Sequence, residues 1–247
     1  MSNKGKYIGI ESRVQYEILE AAIYDYLSSG TLDNAKCLSH IKQYNKGDNR
    51  ARKILKHITV LLGNNAVLLE TLSKIMTAED FAQLNTSDRK GIILCLFCNS
   101  FPITYDILFG FAQVFKVQDI ISKEVIVQKI GAMYGSNRSM QIAITEIIPL
   151  LIECGTINRI KIGIYSKASK LLITNKFVAE LIIYTDIKLS GSKSILIDDL
   201  GYKPWYTYFD LINFLPADFN MLLSKKESAI GKGYFTLKSQ RDEQKPL

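Results

Sequence analysis

Arg138, Gln141 and Thr145 are spaced i, i+3 and i+7, which sets a charged fork, an amide and a hydroxyl along one helical face. That combination suits contact with phosphate oxygens and base edges. Arg138 stands at the amino end of the expected helix, where backbone N–H groups also favour anions. Downstream, Arg159, Lys161, Lys167 and Lys170 decorate a β-rich stretch and suit backbone phosphate. Against this set stand Glu146 and Glu153 on the same helix, and Pro149 inside it, where a kink or break is expected. A second basic series, Arg50, Arg52, Lys53 and Lys56, follows Lys42 and Lys46, with Arg50, Lys53 and His57 on one face. Such a stripe can track a phosphate backbone without reading sequence. An ordinary solvated helix face has the same composition.

Catalysis has little to stand on. The chain has two histidines, His40 and His57, and no Ser/His/Asp or Cys/His arrangement. Cys95 and Cys98 have the spacing of a zinc or redox half-site, but they lie in an apolar helical stretch without a second pair. With Cys37 and Cys154 they read as reduced core thiols. Gly131, Gly135, Gly231 and Gly233 do not follow a strand as a phosphate loop requires. Asp198-Asp199 is a lone acidic pair, short of the ligands a magnesium site ordinarily takes, and reads as closing a turn before Gly201. The expectation is a protein that is not an enzyme, with no catalytic residue, no metal set and no cofactor.

The elements that must position the first basic set lie in residues 119–174. Ile126, Ile130 and Met133 give one apolar stripe at helical spacing, and Met140, Ile144, Ile147 and Leu151 give a second. Gly135-Ser136-Asn137 is turn chemistry between them, with Ser136 placed to cap the second helix. Gly155 ends that helix, Ile160, Ile162 and Ile164 alternate as in a strand, and 170–174 returns as another after a basic tip at 166–169. This order predicts a winged helix-turn-helix with a short β wing. Winged helices also serve as docking modules for proteins.

Upstream, helices are expected over 7–29, 31–45, 49–62, 66–76, 78–85, 88–100 and 103–115, which together form a helical bundle. Thr77 with Asp80 three residues on resembles a capping box, and Ser87 is placed to cap the helix from 88. The fold class is therefore mostly α, a helical bundle followed by the winged helix. Domain organisation reads as 1–118 bundle, 119–190 winged-helix-like domain, 191–238 aromatic-rich segment and 239–247 polar tail. Residues 177–189 fit helix or extended chain equally. The cluster Tyr202, Trp205, Tyr206, Tyr208 and Phe209 anchors the carboxy-terminal segment to the core, or alternatively stacks bases. GKGYFTLK at 231–238 reads as an edge strand.

At 247 residues, 47% hydrophobic and 22% charged, the composition is that of an ordered globular chain. A net charge of +7 and a sequence pI near 9.1 favour an anionic partner. No secretory signal opens the chain and no apolar run reaches membrane length, so a cytoplasmic protein without a membrane partner is expected.

Several short motifs resemble the BrxA family of accessory proteins from BREX bacteriophage-exclusion systems. Glu11-Ser12-Arg13 is similar to the family's Glu-Ser-Arg at the opening of its first long helix. Residues 51–56, Ala-Arg-Lys-Ile-Leu-Lys, resemble its basic helix, with Arg50 where threonine is expected. Asp88-Arg89-Lys90, Leu94 and Phe101-Pro102-Ile103 resemble its acid-Arg-Lys helix and aromatic-proline ending, and 150–157 resembles its later helix ending. The likeness spans about 8–175. It implies a non-enzymatic, double-stranded DNA-binding component of a phage-defence locus, acting with other defence-system proteins. The alternative class is an interaction scaffold in the same kind of complex. Residues 190–247 exceed what the resemblance covers.

Overall fold

The computed structural model describes residues 8–211, 214, 219–228 and 231–238, and ten α-helices fall among them. The tail from 239 lies outside the described residues, as do residue 7, Ile212 and Leu215.

Seven helices precede residue 118: α1 (Tyr16–Ser29), α2 (Asn34–Tyr44), α3 (Asp48–Asn64), α4 (Ala66–Ile75), α5 (Ala78–Gln83), α6 (Thr86–Ser100) and α7 (Ile103–Val114). Their starts follow local chemistry. Asp33 accepts from Ala35 and Lys36 N–H, and Thr77 with Asp80 forms the full reciprocal capping box. Asn85, rather than Ser87, caps α6. The first helix begins later than its periodicity predicts: Gln15 is extended, and Glu11-Ser12-Arg13 precedes the helix instead of opening it. Carboxylates from a distant helix take the Arg13 and Tyr16 N–H groups, so a tertiary partner outweighs local propensity there. α6 is the hub of the bundle: every residue from Gly91 to Ser100 is buried, including Cys95 and Cys98.

Then come β1 (Ile120–Ser122), α8 (Lys123–Tyr134), α9 (Arg138–Glu153), β2 (Ile157–Lys161) and β3 (Ile164–Lys167). The three strands form one antiparallel sheet in the order β1-β3-β2. Ile160, Ile162 and Ile164 do not share a strand, because the chain reverses at Ile162-Gly163. Gly163 has φ 76°, the left-handed region that favours glycine. α9 runs through Pro149 without interruption.

The expected strand at 170–174 does not join this sheet. β4 (Leu171–Leu172) pairs in parallel with β6 (Phe209–Asp210) instead. Between them lie α10 (Lys176–Ser190), β5 (Ser194–Leu196) and two 3-10 turns, Ile197–Asp199 and Pro204–Tyr208. β7 (Leu223–Lys226) and β8 (Tyr234–Leu237) complete a sheet of order β5-β8-β7, so the segment expected at an edge is the central strand. A continuous cluster of buried side chains runs from Ile10 to Phe235. Trp205 donates through Nε1 to the Ile182 carbonyl (3.0 Å), and Tyr208 donates to the Leu108 carbonyl (2.6 Å). The aromatic cluster therefore anchors the carboxy-terminal segment, and of its five members only Tyr202 is exposed. Among the described residues no single helix is long and apolar enough to cross a membrane.

Candidate nucleic-acid interface

α8 and α9 meet across the three-residue turn Gly135-Ser136-Asn137. A Cβ at Gly131 would lie 2.8 Å from Ser136 Oγ, so the turn folds back tightly on α8. The cap of α9 is Asn137, whose side chain accepts from Met140 N–H (2.9 Å), and Ser136 does not serve. Met140, Ile144, Ile147 and Leu151 are buried, which turns Arg138, Gln141 and Thr145 outward as their spacing predicts. In the stripe of α8, by contrast, Met133 is exposed and Tyr134 takes the buried place, donating its hydroxyl to Asp106 of α7 (2.7 Å).

Arg138, Gln141 and Thr145 line a groove of about 590 Å³ between α8 and α9. Lys123, which the sequence analysis did not single out, also lines it, and its Nζ donates to Thr145 Oγ1 at 2.7 Å. Thr145 in turn donates to the Gln141 carbonyl (2.9 Å), so its hydroxyl is committed to holding this corner. The one hint of Lys123 in sequence is its place in the first turn of a helix that follows a strand. Glu124 lies in the same groove, at the start of α8, and hydrogen bonds from its own backbone and Ser122 hold its carboxyl below the usual range.

Glu146 and Glu153, the two acids that counted against a DNA-facing α9, point at the amino-terminal segment. Glu146 accepts from Arg13 N–H (2.6 Å) and lies 3.8 Å from the Arg50 guanidinium. Glu153 accepts from Tyr16 N–H (3.0 Å) and pairs with the Arg13 guanidinium. Glu153 is thereby paired, while Glu146 stays in the lining of the groove beside Arg138 and Gln141.

β2 has four consecutive exposed residues, Asn158 to Lys161. A strand exposed on both faces has left the core, so the β2–β3 hairpin projects, carrying Arg159 and Lys161 with Lys167 at its base. Ile160 and Ile162 are exposed beside them, Ile162 to 93%. Lys170 is placed elsewhere: it follows the hairpin and lines a cavity with α10 and the last sheet.

The basic series on α3 divides. Arg50 and Lys53, both exposed, have acidic partners at the surface, Glu146 (3.8 Å) and Glu11 (3.2 Å) respectively. Two residues on, about 200° around the helix from Arg50, Arg52 is exposed; Lys56 lies on the same side, and neither forms an ion pair among the described residues. His57 does not belong to a basic face. It is buried, and its Nε2 accepts from Glu11 N–H (3.4 Å). Burial lowers its pKa.

The acidic pair does not form a shared site. Asp198 accepts from Lys232 N–H (3.1 Å) and pairs with the Lys232 ammonium (3.6 Å), tying the 3-10 turn to the chain before β8. The Asp199 carbonyl accepts from Tyr202 and Lys203 N–H, closing the turn around Gly201. Among the described residues no group of three or more His, Cys, Asp or Glu could hold a metal ion. Burial pushes the Cys95 thiol up to about 12, which removes its nucleophilic form near neutrality.

Comparison with models of known protein families, with curated proteins and with solved structures finds no match to any of them.

Proposed function

We propose that the protein binds double-stranded DNA, without chemistry, through a winged helix-turn-helix built from α7, α8, α9 and the β1-β3-β2 sheet. The observation that carries this reading is the sheet order together with the outward face of α9. The order strand, helix, helix, strand, strand, with the last strand in the middle of the sheet, leaves the second helix and the hairpin free to meet a duplex. Arg138 and Gln141 are exposed on that helix, and Arg159, Lys161 and Lys167 are exposed on the hairpin. Glu153 is paired with Arg13, which removes part of the repulsion that sequence alone predicts, while Glu146 and Glu124 remain in the groove beside Arg138 and Lys123. The net charge of +7 adds long-range attraction. Taken with the resemblance to the BrxA family, the role proposed is that of a cytoplasmic accessory protein in a BREX-like phage-defence system.

Anisotropy of a labelled random duplex at low salt tests it. Arg138→Ala and Lys161→Ala should each weaken binding by about 1 kcal/mol, the scale of a lost phosphate contact. Arg52→Ala and Lys56→Ala should do less. The reverse ranking moves the DNA surface to α3.

A second reading, an interaction scaffold, draws on the apolar hairpin tip. Ile160 and Ile162 are exposed where a purely phosphate-binding wing has no use for them. Retained DNA binding in Ile162→Ser, with loss of a co-purifying defence protein, is the result that favours this second role for the hairpin.

A further inference from the structure

A cavity of about 690 Å³ lies between α10, the two 3-10 turns and the β5-β8-β7 sheet. Its volume is in the range that commonly holds a small organic ligand. Phe209, Phe219 and Phe235, all buried, form an aromatic floor. Lys170, Lys225 and Lys232 stand in its lining with one carboxylate among the described residues, Asp210. Lys232 is held by Asp198, which lies outside the lining. Lys170 and Lys225 are exposed and form no ion pair among the described residues. Set against Asp210, they leave a surplus of one positive charge among the described lining residues, over an apolar floor.

The polar inventory narrows the ligand further. The Tyr206 hydroxyl in the wall already donates to Asp186 (3.2 Å). Apart from the charged groups and Tyr206, the described lining side chains are apolar, so among the described residues a base or a sugar meets few side-chain donors and acceptors, and polar groups buried without partners oppose binding. A flexible hydrocarbon with a single anionic head meets none of that penalty.

We infer that this cavity binds an amphiphilic monoanion of the medium-chain carboxylate class. The chain lies on the phenylalanine floor, and the carboxylate is held by Lys170 and Lys225. The inference is independent of DNA binding. Lys225 belongs to neither basic surface considered for DNA, so its variant separates the two.

Calorimetric titration of the full-length protein with decanoate, octanoate, decanol and adenosine monophosphate tests it. Decanoate should bind, and octanoate, two methylenes shorter, should bind roughly fifteenfold more weakly, since each methylene contributes roughly fourfold. Decanol should lose roughly tenfold for want of the charged head, and the nucleotide should not bind. Lys170→Ala and Lys225→Ala alter exposed side chains and leave the core intact. Each should weaken decanoate roughly tenfold while leaving decanol unchanged. No binding of decanoate, equal affinity for decanol, nucleotide binding as tight as decanoate, or an unaltered Lys225→Ala variant overturns the inference.

Discussion

His57 accepts the Glu11 N–H through Nε2, and that bond requires the nitrogen to be unprotonated. Burial lowers its pKa below the ordinary value, with Lys56 and Lys53 nearby acting in the same direction and Glu11 opposing them. The unfolded chain therefore takes up the proton first as pH falls through about 6.5. The stability this residue contributes is fully present above that pH and is lost as pH falls from the unfolded pKa through the lower folded one. Melting temperature should decline between about pH 7 and pH 5, and the decline should be shallower in His57→Gln, which keeps an acceptor but does not titrate. An equal slope in both proteins contradicts this assignment. In sequence His57 looked like part of a basic face. Its side chain lies between the buried Ile54 and Ile58 positions and packs edge-on against Phe101 at 5.7 Å, a contact that helical spacing alone does not report.

Elements in this protein are tied together by a set of ion pairs and hydrogen bonds between residues distant in sequence. Glu11 pairs with Lys53, Arg13 with Glu153, and Arg89 with Glu20, which also accepts from the Tyr16 hydroxyl (2.8 Å). Asp88 is the most enclosed of these ties. Its oxygens accept from Thr174 N–H (3.0 Å), Asn175 N–H (3.2 Å), the Thr174 hydroxyl (2.8 Å) and the Asn85 amide, joining the start of α6 to the start of α10. Asp88→Ala removes a buried acceptor shared by these part-buried donors and should cost about 2 kcal/mol, read as a lower urea midpoint with an unchanged m-value. A cost under about 0.5 kcal/mol, the scale of an ordinary surface substitution, contradicts the tie.

The same scale explains what the sequence disclosed. The amphipathic helices were legible because each buries one stripe, and the capping box at Thr77 was legible because it is local. α10 was ambiguous because ten of its fifteen residues are buried, so no polar face marks its period. β4 and β8 were misplaced because the partner of β4, Phe209–Asp210, and the second neighbour of β8, β5, are distant in sequence. Within the candidate site, Arg138, Gln141, Arg159 and Lys161 stood out by type and spacing. Lys123 and the contact of Glu146 with the amino-terminal segment did not, because both depend on how α8 and that segment dock on α9.

For the whole molecule, the central claim is that a surplus of positive charge is focused on one face, α9 with its hairpin, and that a DNA backbone neutralises it. Each neutralised phosphate releases counterions, so the slope of log affinity against log salt counts the contacts. Titration of duplex binding with salt should give a slope of about −3 to −5 for the protein, and Arg138→Ala should reduce its magnitude by about one. Absence of binding at low salt, or a slope that Arg138→Ala leaves unchanged while Arg52→Ala reduces it, contradicts the claim.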